Sequence, residues 1–470
     1  AGGSVRGLYR KWLLPNYGVF DEARYFTPSE DPGSLFIVNG VRVAVSICED
    51  IWSPTGPIAA QAAGGAELAV NINASPYYEG RLAERETMVA TRAADHSVPI
   101  LYCNLVGGQD ELVFDGGSAV YDESGHIVAR ARQFEEDLLV VDLDVRPTFR
   151  KRLLDPRGRA SRPVLPEIHI SEARPASAEP AQPARLEPRL STEEEVWSAL
   201  RVGTGDYVRK NRFADVVIGL SGGIDSSVVA AVAVDALGAE HVTGVLMPSR
   251  YSSDHSVTDA EELAANLGIR TLTIPIETAH AAFLELLSEA FAGSEPGLAG
   301  ENLQARIRGT LLMTLSNKFN WMVLTTGNKS EMATGYATLY GDMAGGFAVL
   351  KDVDKTLVYR LARWRNRDGV VIPENVLEKP PSAELAPGQV DADSLPPYDV
   401  LDPILEGYVE GDRSVTELEA DGFDPATVRR VARLVDLSEY KRRQAPPGVR
   451  VSPKAFGKDR RLPITNGWTG

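Results

Sequence analysis

Two short stretches of this 470-residue chain carry residue types at spacings that chemistry can use. The first is Gly219-Leu220-Ser221-Gly222-Gly223-Ile224-Asp225-Ser226-Ser227, where an apolar run hands over to a helical pattern. Adjacent glycines let the backbone approach an anion and turn its N–H groups inward, and the helix N-terminus that follows adds partial positive charge. Ser221, Ser226 and Ser227 can donate to phosphate oxygens, and Asp225 can hold Mg2+ on them. No lysine follows the glycines, so this is not a Walker loop, and the spacing is not that of the dinucleotide fingerprint. A bland strand-to-helix turn with a capping serine would need neither the aspartate nor the flanking serines. The second stretch is Ser46-Ile47-Cys48-Glu49-Asp50-Ile51-Trp52, with a cysteine at the end of an apolar run. A sharp turn after a strand can lift such a thiol into a site, although on its own a buried cysteine is more often an inert core residue. Cys103, which fits no motif, is read as core.

The elements that must position these residues come in two rhythms. Leu35 to Val38 and Val41 to Ile47 flank Asn39-Gly40, the strongest short hairpin signal. Leu68 to Ile72 and Pro99 to Cys103 read as buried strands with a helix from Arg81 to His96 between them. Ser118 to Ala131 folds back around Glu123-Ser124-Gly125, and Leu138 to Val145 reads as a last strand. A Pro-, Ala- and charge-rich stretch over 171–190 reads as an exposed, semi-rigid linker. Helix-start chemistry follows it, with Ser191 or Thr192 as cap and Glu193 to Glu195 in the first turn.

Beyond the linker, strand and helix alternate. Strands Phe213 to Leu220, Val242 to Met247, Arg270 to Ile274 and Trp321 to Thr326 are interleaved with helices Ser226 to Leu237 and Thr258 to Leu267. That order predicts a parallel, doubly wound sheet with right-handed crossovers. The expected division is therefore an α/β domain over 1–170, the linker, and a doubly wound domain over 191–470.

The bulk numbers set the class. Apolar residues make up 43% and charged residues 24%, the balance of a globular enzyme. A net charge of −16 argues against nucleic acid or an anionic membrane as partner, since both select basic surfaces. There is no apolar run of ~20 residues to span a membrane and no signal-peptide pattern. Two cysteines cannot build a disulfide scaffold. A cytoplasmic protein is expected. The sequence has no initiator Met and enters patterned sequence almost at once, so it reads as beginning inside a domain.

The Ser-Gly-Gly-x-Asp-Ser loop resembles that of the ATP-pyrophosphatases, which implies cleavage of ATP to AMP and pyrophosphate through an adenylated intermediate. Within that group, Thr325-Thr326-Gly327-Asn328-Lys329-Ser330-Glu331 looks like the second signature of NAD synthetases. The likeness implies ATP contacts from the Gly219–Ser227 loop and Thr326. It also implies deamido-NAD contacts from Asn302, Glu331, Tyr336, Ala337, Thr338, Leu339 and Lys441, with Mg2+ on Asp225 and Glu331. Gly341-Asp342 and Lys351-Asp352-Val353-Asp354-Lys355-Thr356 follow the same pattern. Sulfur-transferring relatives generally need cysteines near the ATP site, and none occurs after Cys103.

The N-terminal residues are similar to nitrilase-type glutaminases fused to NAD synthetases. Arg10 to Glu22 looks like their lysine segment, and Asn73-Ala74-Ser75-Pro76-Tyr77 with Arg81 looks like their glutamine-binding stretch. The resemblance implies a Cys48 thiolate that attacks the glutamine amide, Lys11 as the charge facing the oxyanion, and Tyr17, Ser75 and Arg81 as glutamine-binding residues. It also implies a general-base Glu ahead of the lysine, a position that neither Glu22 nor Glu49 occupies. The expected fold is thus a partial nitrilase-like α-β-β-α sandwich followed by a Rossmann-like ATP-pyrophosphatase domain, working as a homo-oligomer on glutamine, ATP and deamido-NAD. Two alternatives stay open on the residues alone: a related enzyme amidating another carboxylate, and a nucleotide-binding subunit without turnover.

Overall fold

Each half of the chain is built around one sheet, and a computed structural model describes residues 3–154, 163–172, 184–295, 297–386 and 388–467. Two compact units result. The first comprises Ala1–Gly107 with Phe114–Ser191, and the second Gly108–Val113 with Thr192–Gly470.

In the first unit, strands β1 (Leu35–Val38) and β2 (Val41–Ile47) form the hairpin that Asn39-Gly40 predicts. Both turn residues have positive φ, 52° and 79°, as a two-residue turn matched to strand twist requires. Helix α1 (Pro57–Ala63), β3 (Leu68–Asn73), α2 (Arg81–His96) and β4 (Ile100–Asn104) follow. Strands β2, β3 and β4 are parallel neighbours. A separate hairpin, β5 (Val106–Gln109) and β6 (Leu112–Asp115), precedes β7 (Ala119–Tyr121) and β8 (Ile127–Arg130), which extend the sheet antiparallel. After helix α3 (Arg146–Leu154), β9 (Glu167–His169) closes the order β8-β7-β4-β3-β2-β1-β9. Helices α1 and α2 cover one face, where Ala44, Ala69, Ile100 and Tyr102 pack with Ile58, Ala62, Val89 and Ala93. On the other face the alternate residues Ile72 and Leu105 are about half exposed, 53% and 49%.

Two expectations change here. Leu138 to Val145 alternates like a strand but pairs with none among the described residues, and Leu138 and Val140 are exposed. Period-2 patterning stabilises a strand only where a sheet edge accepts its backbone, and β8 is instead flanked by the returning chain at Leu186. Of the stretch read as a linker, 173–183 lies outside the described residues. Its last part is tied down: Arg185 pairs with Asp137, and Arg189 with the buried Glu86.

The second unit opens with α4 (Thr192–Lys210), where the cap residues predict it, and continues as β10 (Val216–Gly219), α5 (Ile224–Leu237), β11 (Val242–Leu246), α6 (Asp254–Leu267) and β12 (Arg270–Thr273). Helices α7 (Glu277–Leu286) and α8 (Gly297–Phe319) then lead to β13 (Met322–Thr325), α9 (Lys329–Thr334), β14 (Phe347–Ala348) and α10 (Lys355–Arg365). The five strands are all parallel, in the order β12-β11-β10-β13-β14. The predicted doubly wound sheet is therefore present. Because the chain winds outward from β10 to one edge and returns to β13 on its other side, the strand order reverses between β10 and β13. Such a switch point opens a crevice at the carboxyl ends of the two strands. Helices α11 (Glu374–Glu378), α12 (Tyr398–Leu405), α13 (Val415–Ala420), α14 (Pro425–Leu437) and α15 (Glu439–Arg442) complete the chain. Leu401, Ile404, Leu418, Val428 and Val431 bury a separate core there that also takes in Ala333 of α9.

Candidate active sites

At the switch point lies a cavity of about 550 Å3, bordered by the turns after β10 and β13. The loop after β10 is shaped by its glycines. Gly222 has φ +76°, and a Cβ there would stand 2.1 Å from the Ser256 carbonyl oxygen, so only glycine fits. Ser221 Oγ accepts the Gly223 N–H at 3.2 Å and lies 3.1 Å from Ser226 Oγ, which donates to Gly223 O. Gly219, Leu220, Ser221, Gly223, Ile224, Asp225 and Ser226 all line the cavity. Ser227 does not: it is fully buried, and its hydroxyl donates to Gly223 O at 2.8 Å, so it shapes the loop from behind.

The turn after β13 delivers the opposing wall. Asn328 caps the short helix α9 by accepting the Glu331 N–H at 3.0 Å, and Glu331 returns a carboxylate oxygen to the Asn328 N–H at 3.3 Å. Asn328 Nδ2 also donates to Asp225 Oδ1 at 3.0 Å, which locks the two turns together. Lys355, the first residue of α10, sends its ammonium between Asp225 and Glu331, at 2.5 and 3.4 Å. Burial opposes the charge on Lys355, but the two carboxylates outweigh it and hold the group above the usual lysine range. Burial pushes Glu331 up, with Lys355 pulling the other way and Asp225 adding to the rise.

The other expected residues divide between lining and support. Thr326, Tyr336 and Thr338 line the cavity with Glu331. Asn302 of α8 accepts the Thr338 hydroxyl at 2.8 Å and so orients it. Lys441 Nζ donates to the Gly335 and Ala337 carbonyls at 2.6 and 2.7 Å, and Arg306 Nε reaches the Leu339 carbonyl at 3.3 Å. Asn302, Ala337, Leu339 and Lys441 thus surround the lining without being part of it. Lys355, from the Lys351–Thr356 stretch, lines it as well, and so do Arg308 and Asp391, which the sequence does not single out. Burial lowers Arg308 to about 10. Asp391 accepts the Tyr398 hydroxyl at 2.8 Å. Lys355 falls within a stretch whose pattern was legible, but its partner Asp225 is 130 residues away.

In the first unit, Cys48 follows β2 directly and takes φ +46°, a left-handed conformation costly for any residue but glycine. The turn begins at Cys48 itself, and the cysteine is buried. Burial raises its pKa, while the Lys11 ammonium and an N–H from Ala74 act against the rise. Lys11 is itself gripped by both oxygens of Glu22, at 2.7 and 2.6 Å. Asp50, absent from the sequence reading as a site residue, ties this loop to the cysteine turn. One oxygen accepts the Trp12 and Leu13 N–H groups at 3.1 and 2.8 Å, and the other accepts Tyr9 Oη and the Ile47 N–H at 2.7 and 3.0 Å.

The expected glutamine residues lie around the same turn. Tyr17 donates to Glu49 at 2.9 Å, the residue next to Cys48. Ser75 is buried, its N–H donating to Asn104 Oδ1 at 2.9 Å. The Arg81 guanidinium lies 4.2 Å from the Trp52 ring centroid and donates to Tyr78 Oη and Glu84, each at 2.7 Å. Cys103 is exposed rather than part of the core. It is on the outward face of β4, whose period of two puts Tyr102 and Asn104 inside.

A buried thiol under the influence of an ammonium in one unit, and a glycine loop whose Asp225 shares a lysine with Glu331 in the other, fit a ligase of two modules that uses an amide nitrogen and a nucleotide. Comparisons with known proteins agree. Residues 1–148 match the carbon-nitrogen hydrolase family and residues 196–445 the NAD synthase family. The glutamine-dependent NAD(+) synthetase of Thermotoga maritima is 53% identical over 99% of this chain and 81% of its own length. The Aquifex aeolicus protein of the same name is 50% identical over 99% of this chain and 82% of its own. The solved structure of the glutamine-dependent NAD+ synthetase from Acinetobacter baumannii, in complex with ADP, is 42% identical. It covers 99% of this chain and 80% of that one, with a TM-score of 0.71. The chain belongs to the glutamine-dependent NAD(+) synthetase family.

Proposed function

We propose that the chain converts deamido-NAD to NAD at the cavity of the second unit, with free ammonium or with ammonia from glutamine hydrolysed at Cys48. The nicotinate carboxylate attacks the α-phosphorus of ATP, and the bond to the β-phosphate oxygen breaks to release pyrophosphate. Ammonia then attacks the acyl carbon of the adenylate, loses a proton, and AMP leaves with NAD formed. The Ser221–Ser226 loop holds the departing phosphates through its N–H groups and hydroxyls, and Lys355 meets their charge with an ammonium that needs no reorganisation. Glutamine hydrolysis proceeds by attack of the Cys48 thiolate on the side-chain amide, giving a thioester and ammonia, and water regenerates the thiol. Lys11 faces the oxyanion, while Tyr17, Ser75 and Arg81 hold the glutamine.

Mg2+ fits the donor set. The oxygens that Lys355 does not contact, Asp225 Oδ1 and Glu331 Oε2, would hold it beside the ammonium together with substrate phosphates, as Mg2+ is usually held. Bound there, it would supply positive charge against the triphosphate. A homo-oligomer is part of the reading and rests on the family likeness alone. So is a cytoplasmic location, which suits two free cysteines. No helix among the described residues is long and apolar enough to cross a membrane.

The observation that carries this reading is the Asp225–Lys355–Glu331 cluster beside the glycine loop. Purified protein with ATP, Mg2+ and deamido-NAD is expected to form NAD, detected by mass, when given ammonium. Cys48→Ala is expected to keep that activity and to abolish NAD formation from glutamine. A Cys48→Ala protein that still used glutamine would remove the thiol from the mechanism, and no NAD from ammonium would remove the synthetase assignment.

A further inference from the structure

Glu331 and Lys355 are the first-turn residues of two different helices, and nothing in either helix alone fixes the distance between them. The fix comes from below the cavity. Asp402, in the middle of α12, is 5% exposed and touches both helix starts. Its Oδ1 accepts the Ser330 hydroxyl at 2.6 Å, and its Oδ2 accepts the Thr356 N–H at 2.8 Å. The same Ser330 hydroxyl oxygen accepts the Lys355 N–H at 3.0 Å. One carboxylate therefore binds the residues adjoining Glu331 and Lys355, and one shared hydroxyl closes the triangle. Burial pushes the Asp402 carboxyl up, and the bonds from Ser330 and Thr356 pull it back. A charged group held in so buried a position is costly unless its acceptors are filled, and both oxygens here are filled by the two helix starts. Helix α12 is in turn anchored by Leu401, Ile404 and Leu405 in the core of the C-terminal helices.

We propose that Asp402 is a positioning residue for nucleotide cleavage: through Ser330 and the α10 N-terminus it holds the Lys355 ammonium between Asp225 and Glu331. This rests on the assignment of those three residues to the reacting phosphates. Asp402 touches no substrate in this scheme, so its removal acts on rate through geometry rather than through binding.

The test is a double-mutant cycle on the full chain, with ammonium as nitrogen donor and thermal unfolding recorded for each variant. Asp402→Asn leaves one oxygen for two donors, and Ser330→Ala removes the shared hydroxyl with little change in volume. Each is expected to lower kcat by roughly 10- to 100-fold while KM for ATP changes by less than about threefold, as a small misplacement of reacting groups does. The double variant is expected to be no slower than about the slower single, because both act through one chain of bonds. A kcat within about twofold of the parent for folded Ser330→Ala, or losses that multiply in the double, would overturn the proposal. A change confined to KM would do the same, since it would place Asp402 in substrate binding. If Asp402→Asn does not fold, the Ser330→Ala result alone decides. Loss of NAD formation in the parent protein itself would instead count against the proposed function.

Discussion

Lys11 lies in a loop without regular structure, yet its ammonium is fixed by both oxygens of Glu22 and its charge bears on the Cys48 thiol. Burial is the largest influence on that thiol and raises its pKa, and Lys11 is the largest opposing one. The sign of a substitution follows. Lys11→Met removes a lowering influence, so the pH at which Cys48 alkylates at half its limiting rate should move up. Glu22→Gln removes a raising influence and should move it down. Iodoacetamide labelling followed by peptide mass mapping separates Cys48 from the exposed Cys103, and an unmoved midpoint in Lys11→Met would contradict this account. At this scale the sequence was most informative where chemistry is local in sequence. The glycine loop, Cys48 with Glu49, and the Asn328–Glu331 cap are each contiguous. Lys355 and Asp391 acquire their role only when residues more than a hundred positions from Asp225 are folded beside it, and no spacing rule reports that.

Among the elements, the parallel sheet of the second unit was legible because βαβ alternation with right-handed crossovers leaves few topologies open, although the strand order itself is not read from that pattern. The hairpin at Asn39-Gly40 was legible for a different reason, since its turn chemistry is nearly unique. Leu138 to Val145 shows the limit: alternation describes a side-chain pattern, while a strand also needs a partner for its backbone. The phosphate loop depends on an element contact that sequence did not show, the approach of the α6 N-terminal turn to Gly222. Gly222→Ala would bring a Cβ to 2.1 Å from Ser256 O at a backbone angle of +76°, so the loop must move. Its expected consequence is a KM for ATP raised at least about tenfold, with glutamine hydrolysis at Cys48 unaffected. A KM within about twofold of the parent would show that the loop tolerates displacement and does not grip the nucleotide.

For the whole molecule, two chemistries on one chain were readable as two rhythms with a Pro-rich stretch between them. The division itself is less simple than that stretch implies. Residues Gly108–Val113, in the tip of the β5–β6 hairpin, group with the second unit, where Gly108 N–H donates to Asp206 at 2.7 Å. A six-residue excursion of this kind leaves no trace in composition. The central claim at this scale is that the second unit activates a carboxylate by adenylation, and oxygen labelling follows that bond directly. With both carboxylate oxygens of deamido-NAD labelled with 18O, and with ammonium, ATP and Mg2+, mass spectrometry should find one label in AMP and one retained in NAD. AMP without label, or ADP and phosphate as the nucleotide products, would contradict adenylation of the carboxylate.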